Sequence, residues 1–294
     1  MRRILALIAV FAWLTPAVMA VAQTQPHEMN PGPPKILNII VEHSKPGKTI
    51  AHRKHEAAWT QAFIQAGGFP YGLTVSSVTG PEEDWFMTGF QSYAAVEKWN
   101  ESLETKAAYR KVMETFVPRE SDYVQESRFI LLDYRPDLSY KPDFELGAYK
   151  YFSVALVRLR PGANAADIYK ILNEARSKAN LDIHGVVYEV RSGMPVGSYL
   201  AFYPVKSLAE WDQPPSQEYT AALKEANFSD AFAKSAMNVE FRLFAFSPSM
   251  SYMPESVTKL NPAFWNVPRT EMAKAPAAQA TAPAAKKESK TEKK

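Results

Sequence analysis

The chain is 294 residues long, has no cysteine and carries a formal net charge of +3. The missing cysteine excludes disulfides, thiolate metal sites, a cysteine nucleophile and a lipidated N-terminal cysteine, so stability has to come from a buried core. A hydrophobic fraction of 46%, with 16 Phe, 14 Tyr and 6 Trp, is enough for one. The positive charge sits at the two ends, leaving the body between residues 23 and 271 at about −3, the wrong sign for a nucleic-acid binder.

In chain order, Arg2 and Arg3, the apolar run Ile4 to Leu14 and the small residues Ala20-Val21-Ala22 read as an export signal over residues 1–22. Cleavage would leave Gln23, or Val21, as the first mature residue. The run is too short to span a bilayer, and no later segment has the length of a membrane helix. The destination is the periplasm or the outside of the cell. Residues 23–34 are polar and Pro-rich and read as a flexible lead-in. Residues 272–294, of Ala, Pro, Lys and Glu without an aromatic, read as a disordered tail.

Between these ends one pattern occurs twice, over residues 35–140 and 151–252, joined by a linker at 141–150 and followed by an extension at 253–271. ILNIIVEHSKPG (from Ile36) answers YFSVALVRLRPG (from Tyr151): a β-rich run closed by basic-Pro-Gly, which ends the strand and turns the chain. A helical stretch follows each. YGLTVSSVTG and WFMTGFQS, against HGVVYEVRSG and YLAFYPVKS, predict two hairpins. Ser92 and Ser207 are predicted N-caps. Trp99 and Trp211, at matching positions, are expected core anchors. Helical segments and the strands RFILLDYRPDLSY and EFRLFAFSPSMSY complete each unit.

Each unit therefore reads β-α-β-β-α-β, an α+β ferredoxin-like topology. The tandem pattern resembles the dimeric α+β barrel superfamily, which includes antibiotic-biosynthesis-monooxygenase-like, NIPSNAP-like and EthD-like proteins. The resemblance rests on the strand-Pro-Gly-helix opening and on the Ser-to-Trp stretch after the third strand, over Ile36 to Tyr252. It implies an internal pseudo-dimeric barrel, with the bare sheet faces of both units meeting, and hence a monomer. On the first strands Leu37, Ile39 and Val41, like Phe152, Val154 and Leu156, are expected to face the helices. Asn38, Ile40 and Glu42, like Ser153, Ala155 and Val157, are expected to line the inter-sheet space, with the mixed sets Arg128, Ile130, Leu132 and Glu240, Arg242, Phe244. Asn38, Glu42, His43, Arg128 and Arg242 are the candidate ligand contacts.

The first helix of unit one, KTIAHRKHEAAWTQAFIQAGG, places His52, His55 and Glu56 on the face that also carries Trp59 and Phe63. The second unit has Ile168, Ile171 and Leu172 at these positions. Titratable groups where the sister unit has apolar ones mark His52, His55 and Glu56 as candidate catalytic residues, with His43 expected within reach. Imidazole and carboxylate are also metal-ligand chemistry. The spacing is not His-Glu-x-x-His, however, so no metal centre is assigned and no cofactor is named. No serine-hydrolase pattern and no Gly-rich phosphate loop is present. The leading functional expectation is an exported protein binding a small molecule in or near the inter-sheet cavity. The alternatives are a cofactor-independent enzyme of the monooxygenase or isomerase kind and a haem-binding protein, both implied by the resemblance.

Overall fold

A computed structural model describes residues 32–267. The export signal, most of the lead-in and the Lys-rich tail lie outside the described residues. Among the described residues no helix is long and apolar enough to cross a membrane. The first half of the chain contains β1 (Ile36–Ser44), α1 (Thr49–Gln65), β2 (Gly72–Ser77), β3 (Asp84–Phe90), α2 (Tyr93–Thr105), α3 (Ala107–Glu120) and β4 (Val124–Tyr134). The second contains β5 (Tyr151–Leu159), α4 (Ala165–Lys178), β6 (Val186–Ser192), β7 (Ser198–Val205), α5 (Gln217–Glu225), α6 (Phe228–Ser235) and β8 (Ala236–Phe246), followed by α7 (Glu255–Thr258) and α8 (Pro262–Trp265).

The eight strands close into an antiparallel barrel in the order β1-β3-β2-β8-β5-β7-β6-β4. Each half has the ferredoxin-like order, first strand between third and fourth. The seams are reciprocal: β2 joins β8, and β6 joins β4. Register also recurs. Leu37 faces Leu132 and Phe152 faces Phe244. A bulge after His43 sets Ser44 against Val124, and a bulge after Arg158 sets Leu159 against Ala236. The fold is thus α+β, two ferredoxin-like units forming a barrel inside one chain.

On the first strands the two faces are the reverse of the sequence expectation, while Ile130, Leu132 and Phe244 of the last strands line the interior as expected. Leu37, Ile39, Val41, Phe152 and Val154 fill the barrel, together with Ile130, Leu132 and Phe244. Ala155 and Val157 instead meet α4 through Ala165 and Ile168, and Glu42 turns outward to α1. The reason is volume. An eight-stranded barrel has an interior that side chains alone can fill, and large apolar groups from both units bury most area there. The outer face meets only the inner stripe of a helix and tolerates small or polar residues where that stripe is polar.

Local signals hold at the caps. Ser92 Oγ accepts from Ala95 N–H, and Ser207 forms a capping box with Glu210. Trp99 packs with Phe63, Phe69 and Tyr109, but Trp211 is 54% exposed and anchors nothing. It sits on a short 3₁₀ turn (residues 208–212) where unit one has the full helix α2, so it does not reach the helical layer that α4, α5 and α6 form.

The linker and the C-terminal extension interlock at one end of the barrel. Trp265 Nε1–H donates to the carbonyl of Gly147 at 2.9 Å, and Trp265 and Val257 belong to the barrel core. Gly147 has to be glycine here: a Cβ would stand 2.0 Å from the Val257 carbonyl oxygen.

Candidate functional site

The polar stripe of α1 is buried. His52 has no solvent exposure, Glu56 is 6% exposed, and His55 is also buried, so this is no frayed helix start. α1 begins at the Pro-Gly turn after β1, which lays its first turns across the outer face of β1. Glu42 meets it there, the end of α3 delivers Glu120, and the start of β3 delivers Asp84.

His52 is the hub. Its Nε2 lies 2.8 Å from Glu42 Oε2, 4.0 Å from Glu56 Oε1 and 3.9 Å from Glu120 Oε1. Its Nδ1 lies 3.1 Å from Ser44 Oγ and 3.3 Å from Asp84 Oδ2. Asp84 in turn accepts from Arg53 Nε at 3.1 Å and from Ser76 Oγ–H. One ligand atom each from Glu42, His52, Glu56 and Glu120 fall within 4.8 Å of one another. His55 is adjacent but differently placed. Its ring packs against Trp59, Phe116 and Tyr123, and its Nε2 lies 3.5 Å from Glu120 Oε2 without the geometry of a hydrogen bond.

Crowding of like charges sets the protonation. Burial alone would lower the His52 pKa, but hydrogen bonds to Asp84 and Glu42 and the charge of Glu56 outweigh it and push it up to about 10. Burial, then the charges of Glu42 and Glu120, hold Glu56 well above the usual carboxylate range. Burial and Glu42 raise Glu120 to about 7. For Asp84 burial is outweighed by His52 and Arg53, and its carboxyl is held low. Burial, then Arg119 and His52, lower His55.

The candidate ligand contacts do not form one group. Glu42 joins the α1 cluster. His43 points the other way along the strand alternation and does not reach His52. Its Nε2 lies 3.3 Å from Glu83 Oε2, and Glu83 also pairs with Arg242, which holds Glu240 at 2.6 Å. These four groups are a paired charge network at one mouth of the barrel. Arg128 is exposed and Asn38 sits half-buried on the outer face against Thr88 and Leu131. Asp84, Glu120 and Ser44 belong to the α1 cluster and were missed by the sequence reading. The available signal was the repeat itself. Ser44, Glu42 and Glu120 stand opposite Leu159, Val157 and Phe232 of the second unit, apolar residues packed with Ile168 and Leu172.

At the opposite mouth, where β1 starts and β3 ends, a cavity of about 1000 Å³ opens into the barrel. Leu37, Leu73, Met87, Phe152, Tyr188 and Phe202 form its floor, drawn from both units. Phe69, Tyr71, Trp99 and Tyr252 form an aromatic wall, and Lys98, Lys106, Glu145 and Lys259 stand among the polar lining groups. Tyr109, on the same wall, donates its hydroxyl to the Gly68 carbonyl at 2.6 Å. No histidine lines this cavity among the described residues, so it offers a haem no imidazole ligand.

No protein-family model matches the chain. No curated protein matches it either. Solved structures are similar over most of its length. A provisionally assigned monooxygenase of Fusobacterium nucleatum aligns at 10% identity and a TM-score of 0.49, covering 74% of this chain and 94% of that one. A chlorite dismutase variant from Candidatus Nitrospira defluvii aligns at 8% identity and a TM-score of 0.45, covering 77% and 96%. A heme-binding protein from Thermus thermophilus aligns at 10% identity and a TM-score of 0.39, covering 82% and 100%. With TM-scores this low these likenesses carry no argument, and the fold rests on strand order and register: two ferredoxin-like units closed into one α+β barrel within a single chain.

Proposed function

We propose that the chain is an exported binding protein for a small, largely apolar molecule with a polar end, held in the cavity at the open mouth of the barrel. The observation that carries this is the cavity itself. Its volume of about 1000 Å³ lies at the upper end of ordinary ligand pockets, its floor is barrel-core side chains, and lysines with one glutamate supply charged groups. A barrel built only as scaffold would fill this space, as it does at the other end with Trp85 against Phe244. An enzymatic reading through His52, His55 and Glu56 requires a substrate on the outer face of the wall, since that cluster opens neither to the cavity nor widely to solvent.

Titration with 1-anilinonaphthalene-8-sulfonate, together with native mass spectrometry of the undenatured chain, tests this. The expected result is saturable fluorescence at one equivalent, or a retained mass, with Leu73→Trp, which fills the floor, weakening binding about tenfold or more. Binding unaffected by Leu73→Trp, or none at all, sinks the proposal. Export predicts a mature N-terminus at Gln23 or Val21, read by terminal sequencing of material from the periplasm or medium. An intact Met1 there would overturn it.

A further inference from the structure

We propose that Glu42, His52, Glu56 and Glu120 bind one divalent transition-series cation, of the manganese(II) or zinc(II) kind, on the outer face of the barrel. The proposal is independent of the cavity, which lies at the other end and on the other side of the wall.

Three observations carry it. The first is geometry. A metal bound at roughly 2.0–2.2 Å by each donor brings its ligand atoms to about 3–4 Å from one another. The distances from His52 Nε2 to the three carboxylates, 2.8, 4.0 and 3.9 Å, span that interval. The second is unmet bonding. Glu56 is more than nine-tenths buried and its Oε1, turned toward His52, has no hydrogen-bond partner among the described residues, and neither oxygen of Glu120 has one among them. Carboxylates cannot donate to each other, so buried oxygens facing one another need a cation or a retained proton. The third is the back of the imidazole. Nδ1 faces Asp84 and Ser44, and Asp84 is itself held by Arg53 and Ser76. Without an ion, Nε2 shares a proton with Glu42; a cation that displaces that proton finds Nε2 as the lone-pair nitrogen, because Nδ1–H is donated to Asp84. That is the outer-shell arrangement that orients a ligating histidine.

One imidazole with three carboxylates selects the cation class. Calcium takes six to eight oxygens and copper(I) takes sulfur, whereas manganese, iron and zinc accept mixed nitrogen and oxygen donors. The second unit supports a built site. Val157, Ile168, Leu172 and Phe232 occupy the equivalent positions as ordinary core, so the fold does not itself require polar groups there. The bound ion would tie the last residue of α3 to α1 and β1, and Glu120, the most accessible of the four, marks the way in.

The test uses the full chain, stripped with chelator and titrated calorimetrically with manganese(II) chloride and, separately, zinc(II) chloride. One equivalent is expected. Glu56→Gln and Glu120→Gln, which keep shape, should each weaken binding about tenfold or more. Asp84→Asn, a positioning change, should weaken it roughly 10- to 100-fold. Manganese bound to the native chain should show nitrogen coupling from one imidazole by pulsed electron paramagnetic resonance. The variant carrying Glu42→Val, His52→Ile, Glu56→Leu and Glu120→Phe should bind nothing. If that variant does not fold, Glu56→Gln decides alone. The proposal is overturned by no stoichiometric binding, by unchanged binding in Glu56→Gln or the folded quadruple variant, or by bound manganese without nitrogen coupling.

Discussion

His52 shows how one residue can be expensive for the fold and still persist. It is wholly buried among groups of opposite charge, and the carboxylates around it outnumber the cations. Breaking such a cluster differs from replacing it. His52→Ile alone leaves Glu42, Glu56 and Glu120 buried without their shared partner and should cost about 3–5 kcal/mol in the metal-free chain. The quadruple change to the second unit's residues should be neutral or stabilising by about 1–4 kcal/mol, because it swaps a buried ionic group for core. Urea unfolding of both variants checks the pair. A quadruple variant less stable than the single one would show that the two units do not share equivalent positions. The same cluster sets a pH dependence. Folded pKa values above the unfolded ones mean that the native state holds protons more tightly, so stability is complete at low pH and lost as pH rises. For Glu120 the window runs from its ordinary 4.5 up to about 7, and for His52 from 6.5 up to about 10. The melting temperature of the chelated chain should therefore fall between pH 5 and pH 9, and the quadruple variant should flatten that fall.

At the scale of elements, Gly147 couples the linker to the C-terminal extension. A methyl group there meets the Val257 carbonyl, so Gly147→Ala should push α7 outward, loosen the Trp265 hydrogen bond and cost roughly 1–3 kcal/mol. Faster hydrogen exchange confined to residues 255–265 and altered Trp265 fluorescence would report it, and exchange identical to the native chain would refute the coupling. Much at this scale was legible beforehand. Basic-Pro-Gly ended both opening strands, Ser92 and Ser207 capped as read, and the stripe of α1 was polar where that of α4 was apolar. The inward face of β1 was not legible. Alternation assigns Leu37, Ile39 and Val41 to a common face, but only closure of the barrel decides whether that face meets helices or the opposite unit. Glu120 and Asp84 were invisible for a related reason. Each reaches His52 from a separate element, and no local period links them. Trp211 failed through an analogy pushed too far, since matching tryptophans need matching helices to bury them.

The whole molecule poses the question of what closes its surface. In a barrel assembled from two chains the seams would be intermolecular. Here β2–β8 and β4–β6 are both made within one chain, over Val75 to Ser77 against Phe246 to Phe244 and over Leu131 to Tyr134 against Ser192 to Tyr188. Among the described residues closure pairs every strand on both sides over part of its length, which shortens the free edge that could template another chain to the N-terminal stretches of β4 and β8. The core is shared as well, with Leu37 and Ile39 of one unit packed in the same cluster as Phe152 and Val154 of the other. Each unit keeps a smaller helix-side cluster of its own, but the largest core is common to both, so the two should unfold together and the chain should remain a monomer. Light scattering across a wide concentration range should give one chain's mass, and denaturant unfolding followed by tryptophan fluorescence and by far-ultraviolet dichroism should coincide in a single transition. A proline in a seam provides the converse. Ala245→Pro, opposite Ser76 in β8, removes a backbone donor beside the narrower seam, where only three residue pairs join the halves. It should open that side, expose the edges of β2 and β8, and shift the protein toward dimers in which each chain completes the other's barrel. A native chain that is already dimeric, or an Ala245→Pro variant that stays a monomer with an unchanged midpoint, would mean that the short seam does not hold the barrel shut.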